Sequence, residues 1–547
     1  MNREFTKRTL AEYLNHSLSA FGNNKAYSII NGESITFNEF GKRIESLINL
    51  YDENGIKIGA KIALLGGSMP NWPVAYMATT TSSRIIVPLL PDFTAFEIAN
   101  ILEHSGCKAI IISKRLIYKL SDAMREKLEY IICLDTLELL KVPADNNLEN
   151  TDAKAPVTEK IERKTPKPED IASIIYTSGT SGKSKGVILT HNNITSNLQM
   201  IYKLYPVDQN DVFLSILPLS HAYECTIGML YPMTEGSSVY YLNGAPTPSL
   251  LMPALKKVRP SIMLSVPLIV EKIYKNKVRP MFTKNWPMQL IYSIGPIRRV
   301  LHMIAGKKLV EMFGGRLRFF GIGGAKLDAS VERFLKDAKF PYAIGYGLTE
   351  CSPLLAGAVG KFPLQTTGPI LKEMEVRIAN PNNKGIGDIQ VKGDNVMQGY
   401  YKDPQRTEEA FTPDGWFRTK DLGKLDRNGN IFIKGRVDNM LLGANGENIY
   451  PEEIESIIRE NDFVLECIVI RKNDKMVAKV YFNYDQIEAL KEFNELSYDE
   501  KLANIKKDLL EFVNDKVNKS SKISEIIEQQ VPFEKTATQK IKRFLYT

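Results

Sequence analysis

Apolar residues along this chain fall into short runs separated by stretches of helical period. Residues 61–67, "KIALLGG", and 108–113, "KAIIIS", are continuous apolar runs that read as buried strands. Between them "PDFTAFEIANILEHSG" repeats its apolar residues at helical spacing. That alternation predicts α/β architecture with mainly parallel sheet. Near the start, "AYSIINGESIT" (26–36) reads as two short strands around an Asn31-Gly32 turn. From 211 to 345 short apolar runs again alternate with helical ones, among them "LSVPLIVEKIYKNK" and "ASVERFLKDA". Residues 142–170 are rich in Pro, Asp, Asn and Lys, lack periodicity, and read as a surface connection.

The pattern changes near residue 385. "GDIQVKG", "GWFRT" and "GKLDRNGNIFIKG" are short strands with Asp414-Gly415 and Asn428-Gly429 turns, which predicts a small antiparallel or barrel-like subdomain. After "GRVDNM" the order becomes mixed: a helix from "YPEEIESIIRE", strands "ECIVIRK" and "KMVAKVYF", then a long polar helix through "KLANIKKDLLEFVNDKV". Pro451 with Glu452 and Glu453 is good helix N-terminal chemistry. The expected division is a large N-terminal domain over 1–435 containing two α/β sheet subdomains and the barrel-like one. A hinge at 436–438 and a small mobile α+β domain over 439–547 follow.

Length supports this division, because 547 residues exceed what a single core organises. With 44% hydrophobic and 24% charged residues the composition is that of an ordinary globular protein. A net charge of +8, without a long basic run, argues against nucleic acid as a partner and suits a polyphosphate ligand. The first residues lack the continuous apolar segment of a signal peptide, and no apolar stretch nears the roughly 20 residues of a membrane span. The expected location is cytoplasmic. Cys107, Cys133, Cys225, Cys351 and Cys467 are scattered and odd in number, which indicates reduced buried thiols rather than a disulfide framework or zinc site.

"IIYTSGTSGKSKGVILTHNN" (174–193) holds three glycines ahead of its apolar end, several hydroxyls and two lysines between two β-branched runs. Gly182-Lys183-Ser184 matches the end of a P-loop, but Thr177 stands where the first glycine belongs. The run "VILT" then follows where a P-loop needs a helix. A loop anchored at both ends by core strands is instead suited to wrap phosphates with backbone N–H groups. This stretch resembles the phosphate-binding loop of the adenylate-forming superfamily, which includes acyl-CoA synthetases, luciferases and adenylation domains of peptide synthetases. The resemblance continues in order through "LPLSHAYE", "GIGGAKL", "IGYGLTE", "GYYKDP", "GWFRTKDLG", "GRVDNM", "GENIYPEEIE" and "KTATQKIKR", nine motifs over about 370 residues.

The resemblance implies a site for ATP, Mg²⁺, a carboxylic acid and CoA. Thr177, Ser178, Gly179, Thr180, Ser181, Gly182 and Lys185 would cradle the β- and γ-phosphates. In the "GYGLTE" motif (Gly345, Tyr346, Gly347, Thr349, Glu350), Tyr346 would lie against adenine. Thr349 would contact the α-phosphate and Glu350 would hold Mg²⁺. Gly323, Gly324 and Ala325 would line the adenine and acyl pockets. Asp421 would accept both ribose hydroxyls, and Arg436 would bind ribose or phosphate. His221 would place the carboxylate and later make room for the thiol. Lys540 would bridge phosphates and carboxylate during adenylation. Asp438 would be the hinge about which the small domain rotates to present a loop containing Gly446 to the thiol. Two positions depart from the family pattern, Lys420 and Gln539, each where glycine is usual. Lys535 and Lys542 flank Lys540 and compete for its assignment.

The stretch from "VPLIVEKIY" through "KKLVEMFGGRLRFFGIGGAKL" resembles the long-chain fatty acyl-CoA synthetase branch, which implies a fatty acid as the acyl substrate. Ala222, Tyr223 and Gly323 are acyl-pocket candidates, and runs such as "CTIGMLYPM" either line the tunnel or pack the core. The alternatives are an aryl or medium-chain acid, a carrier protein as acceptor, or a non-catalytic nucleotide-binding protein on the same fold. "MQLIYSIGPIRRVLHMIAGKK" reads either as a basic surface helix in peripheral contact with a membrane or, since Pro296 interrupts it, as a buried helix hairpin.

Overall fold

The computed structural model describes residues 8–140, 162–177, 184–244, 246–283, 286–442, 448–472, 475–488, 497–518, 521–536 and 541–547. Two eight-stranded sheets form the body of the N-terminal part. One runs Leu354–Val359, Tyr342–Gly347, Phe319–Ile322, Ile262–Ser265, Val212–Ser215, Ser238–Tyr241, Lys25–Ile29, Ser34–Thr36. Its inner strands are parallel and its two edge pairs antiparallel. The Asn31-Gly32 turn closes one of those edges, with Asn31 at φ 63°.

The other sheet runs Gly399–Tyr400, Lys185–Thr190, Ile171–Thr177, Ile85–Leu89, Lys61–Leu65, Ala109–Ile112, Tyr130–Cys133, Leu139–Leu140. Its central strands are parallel and almost wholly buried, which is why they read as continuous apolar runs rather than alternating ones. The largest core cluster unites the sheets, joining Ile62, Ala172 and Val187 to Phe213, Val239 and Ile262. Helix Asn71–Thr81 shares this core with all but its last residue buried, so its sequence carries no amphipathic stripe.

Strands Glu375–Ala379, Gly387–Lys392, Phe417–Leu425 and Ile431–Arg436 form a four-stranded antiparallel sheet. The antiparallel reading holds; the barrel-like alternative does not, since among the described residues the two edge strands do not pair with each other. Closing a sheet requires enough strands and stagger to bring its edges together, and four strands leave them apart.

The smaller C-terminal domain follows. Helix Pro451–Ile458 begins at its proline as expected, with Glu452 and Glu453 in the first turn. It packs on strand Val464–Lys472, which pairs with Lys475–Phe482, with Glu525–Glu528 as the third strand. Helix Tyr498–Lys516 is held at its start by a capping box between Ser497 and Glu500 and buries Leu502, Ile505, Leu509 and Val513. All five cysteines are buried and free. No described helix is long and apolar enough to cross a membrane.

Candidate functional site

Strands Ile171–Thr177 and Lys185–Thr190 pair antiparallel with Thr177 opposite Lys185, so the glycine-rich loop is the tip of a hairpin. A strand, Lys185–Thr190, follows the loop as the "VILT" run implied, where a P-loop would lead into a helix. Ser178, Gly179, Thr180, Ser181 and Gly182 lie outside the described residues. Thr177 Oγ1 at the loop's root is buried with no hydrogen-bond partner among the described residues.

The other root residue, Lys185, points into a three-sided cluster. Its Nζ lies 2.7 Å from Glu350 Oε1 and 2.7 Å from the Tyr400 hydroxyl, which itself donates to Glu350 Oε1 at 3.0 Å. The ammonium also sits 4.4 Å from the centre of the Tyr400 ring. Burial of Glu350 opposes its ionisation, but the Lys185 charge outweighs that effect and holds the carboxyl below its ordinary range. Glu350 is therefore a buried carboxylate kept ionised by a partner that a phosphate could draw away. Among the described residues no cluster of three acidic, histidine or cysteine side chains could hold a metal alone. A single ionised carboxylate is nonetheless the donor set that suits Mg²⁺ shared with substrate phosphates, since that ion keeps most of its coordination for phosphate and water.

A second cluster forms where strand Tyr342–Gly347 meets the four-stranded sheet. The Tyr346 hydroxyl donates to Asp421 Oδ2 at 2.8 Å, and Arg436 Nη1 lies 3.0 Å from Asp421 Oδ1. Asp421 and Arg436 face each other across paired strands. A carboxylate offers about four acceptor sites, and Tyr346 and Arg436 are two of the groups that meet Asp421 there. Asp438 follows in the turn Val437–Asn439, 3.9 Å from Arg436 and 4.0 Å from Lys420.

Lys420 adopts φ 60°, the left-handed conformation that glycine takes without cost. Lysine here holds a backbone shape typical of glycine at the expense of about 1 kcal/mol of strain. Lys420→Gly is expected to change stability by less than about 0.5–1 kcal/mol, because relief of strain opposes the entropy gained by the unfolded chain. Lys420→Val should lower it by about 1–3 kcal/mol. Urea midpoints of the two variants check this, and equal midpoints would contradict it.

Between the clusters, Gly347 is fixed by packing: a Cβ there would lie 1.9 Å from the Pro353 carbonyl oxygen. Gly345 and Thr349 flank it, and Thr349 opens the short turn that carries Glu350. Gly323 donates its N–H to Ser265 and lies against Tyr223, whose ring would be 3.2 Å from an added Cβ. Gly324 and Ala325 next to it are exposed. His221 is half-buried in a turn, its N–H bonded to the Pro218 carbonyl. Beyond it a π-helix, Glu224–Leu230, buries every residue.

Tyr223, Ile227 and Tyr231 from this segment, with Phe213, Leu264 and Gly345, line a narrow apolar cavity of about 50 Å³, several times the roughly 10–15 Å³ that one water needs. Gly446 and Lys540 lie outside the described residues. Their neighbours are accounted for: Lys535 is paired to Glu466 at 2.5 Å and Lys542 to Glu534 at 3.8 Å.

The profile of the AMP-binding enzyme family matches residues 14–401, and that of the AMP-binding enzyme C-terminal domain matches 438–546. The chain belongs to the AMP-binding enzyme family. Among the relatives of this AMP-binding enzyme, the long-chain-fatty-acid–CoA ligase ACSBG2 of Homo sapiens is 25% identical, covering 96% of this chain and 83% of that protein. Long-chain-fatty-acid–CoA ligase 5 of Mus musculus is 28% identical, covering 80% and 68%. ATP-bound MatB from Rhodopseudomonas palustris superposes with a TM-score of 0.77 at 21% identity, covering 99% of this chain and 98% of that one. The o-succinylbenzoate CoA synthetase of Bacillus subtilis, in complex with an acyl-adenylate, does so with 0.77 at 20% identity, covering 99% of each. At these identities the superpositions establish the shared fold alone.

Sequence reasoning missed two residues of the AMP-binding enzyme's site region. Tyr400 stands inside the quoted "GYYKDP" motif, but nothing in the spacing tells that its hydroxyl reaches Glu350. Glu224 closes the "PLSHAYE" motif and reads as polar punctuation of an apolar run, yet it is 1% exposed.

Proposed function

We propose that this enzyme activates a fatty acid with ATP, forming an acyl-adenylate and pyrophosphate, and then transfers the acyl group to CoA with release of AMP. The Lys185–Glu350–Tyr400 cluster at the root of the glycine-rich hairpin carries this reading. A free carboxylate has no good leaving group, and its attack on the α-phosphorus concentrates negative charge that needs positioned cations and donors. Lys185 and the loop residues Thr177 to Gly182 hold the β- and γ-phosphates, and Thr349 contacts the α-phosphate. Glu350, once freed from Lys185 by an arriving phosphate, would be the carboxylate to hold Mg²⁺, which would supply neutralisation of phosphate charge.

Asp421, held between Tyr346 and Arg436, accepts the ribose hydroxyls, and Tyr346, Gly323, Gly324 and Ala325 border the adenine. His221 orients the acid. The small domain, beyond a hinge at 436–438 centred on Asp438, supplies Lys540 for adenylation and the Gly446 loop for thiolation. The names of the long-chain-fatty-acid–CoA ligases among the relatives support a fatty acid as the acyl substrate.

The test is pyrophosphate release by the purified protein with ATP, Mg²⁺ and acids from acetate to C18 plus benzoate, with and without CoA. A CoA-dependent maximum at long chains is expected. A maximum on short or aromatic acids would retain adenylation and discard the fatty-acid substrate. No pyrophosphate with any acid would overturn the proposed reaction.

A further inference from the structure

Four helices, Pro267–Ile273, Pro280–Thr283, Trp286–Ser293 and Gly295–Met312, cover one side of the first sheet. The last two form a hairpin, as the sequence allowed, with Pro296 in the first turn of the second helix. The hairpin is buried on one side only, because its apolar residues form two stripes rather than one. The inner stripe is anchored: Ala305 and Leu309 lie in the core, and His302 is bonded to Tyr292 at 2.7 Å and Asp337 at 3.1 Å.

The outer stripe faces solvent. Leu290 (59% exposed) and Ile291 on the first helix, Ile294 at the turn, and Ile297, Val300 (50%) and Ile304 (51%) at helical spacing on the second are all exposed. Six large apolar residues left exposed within fifteen positions mark an interaction site.

The charge around it identifies the partner. Residues 267–312 contain nine Lys and Arg against two Glu, a net +7 in a chain whose total is +8. Lys275 and Arg279 are engaged with the Arg459 carbonyl and Asp462. Arg299, Lys307 and Lys308 are exposed on the same helix as the outer stripe. A second copy of this chain is a poor partner, since self-association through this helix would bring Arg299, Lys307 and Lys308 of both copies together.

We propose that the outer face of the hairpin docks on an anionic lipid bilayer, with Leu290, Ile294, Val300 and Ile304 entering the headgroup boundary and Arg299, Lys307 and Lys308 facing lipid phosphates. The hairpin lies in the plane of the surface, since no described helix is long and apolar enough to cross a membrane. The inference does not depend on which acid the enzyme activates.

The test is co-sedimentation of the full chain with vesicles of phosphatidylcholine alone and with about 30% phosphatidylglycerol, at low and high salt. Binding to the anionic vesicles is expected, weakened by salt and by loss of the anionic lipid. Each cation near such a surface contributes about fivefold. The triple change Arg299→Glu, Lys307→Glu, Lys308→Glu should therefore weaken binding by roughly 100-fold or more. A second set, Leu290→Ser, Val300→Ser, Ile304→Ser, should weaken the salt-resistant part of the binding.

Both sets lie on the surface, and melting curves verify that each folds; where one does not, the other decides. Absence of binding to anionic vesicles, or binding undiminished in a folded variant, would overturn the proposal. So would a dimer, seen by sedimentation, that the serine set dissolves while vesicle binding is absent.

Discussion

Lys540→Ala is expected to lower acyl-adenylate formation by roughly 10²–10³-fold, the scale of losing one positioned transition-state donor. Thioester formation from supplied acyl-adenylate stays near its original rate. The asymmetry follows from the proposed division of labour. Attack of the carboxylate on the α-phosphorus brings two anions together, so a cation between them acts in that step; displacement of AMP by a thiol has no such need. Pyrophosphate release reports the first half-reaction, and AMP release from the pre-formed adenylate with CoA reports the second. Equal loss in both would refute alternation of the small domain about 436–438. Lys535→Ala and Lys542→Ala are informative controls. These lysines are held by Glu466 and Glu534, so their removal should affect the two half-reactions alike.

Glu224→Gln should remove a loss of stability of about 3 kcal/mol that the parent protein suffers between pH 5.5 and 8. Glu224 begins the π-helix after His221 and is 1% exposed, with Oε2 lacking any hydrogen-bond partner among the described residues. Its carboxyl lies over Gly228, where a Cβ would come within 2.5 Å of Oε1, so that glycine makes the room the acid occupies. Burial pushes the Glu224 carboxyl up to about 8. Below the ordinary glutamate range both folded and unfolded chains hold the proton. Between that range and about 8 the unfolded chain ionises while the folded one does not, so the unfolded state gains and stability falls as pH rises. Above about 8 both are ionised and the dependence ends. Glutamine is neutral throughout and keeps the shape, so the variant should lack this part of the decline and exceed the parent at pH 8. Denaturant midpoints at pH 5.5 and 8 measure the difference; parallel decline in both proteins would exclude Glu224 as its source.

Much of the candidate site is legible in order along the chain, because backbone requirements leave short local signatures. Gly347 is glycine because a carbonyl occupies the place of its side chain, and that demand appears in the sequence as a fixed letter in "GYGLTE". The hairpin at 171–190 is similar: β-branched runs on both sides of the loop excluded a helix after it, and a strand follows. What spacing does not convey is reach. Tyr400, Lys185 and Glu350 lie in three motifs far apart in sequence and share one set of hydrogen bonds, which arises only when an edge strand is added beside the loop hairpin. Lys420 shows a further limit, since its left-handed backbone is dictated by the bulged strand around it and not by its own residue type.

The sequence by itself determined the class of fold, the order of its elements and membership of the adenylate-forming superfamily. Alternation of apolar runs, turn dipeptides and glycine-rich motifs are local properties, and secondary structure responds to them locally. Tertiary structure alone decided which polar groups became buried and paired, and which apolar groups did not become buried at all. Glu224 and the outer stripe at Leu290 to Ile304 are the two extremes. Periodicity marks a face as apolar or a residue as charged, but whether water reaches it depends on what the rest of the chain lays against it.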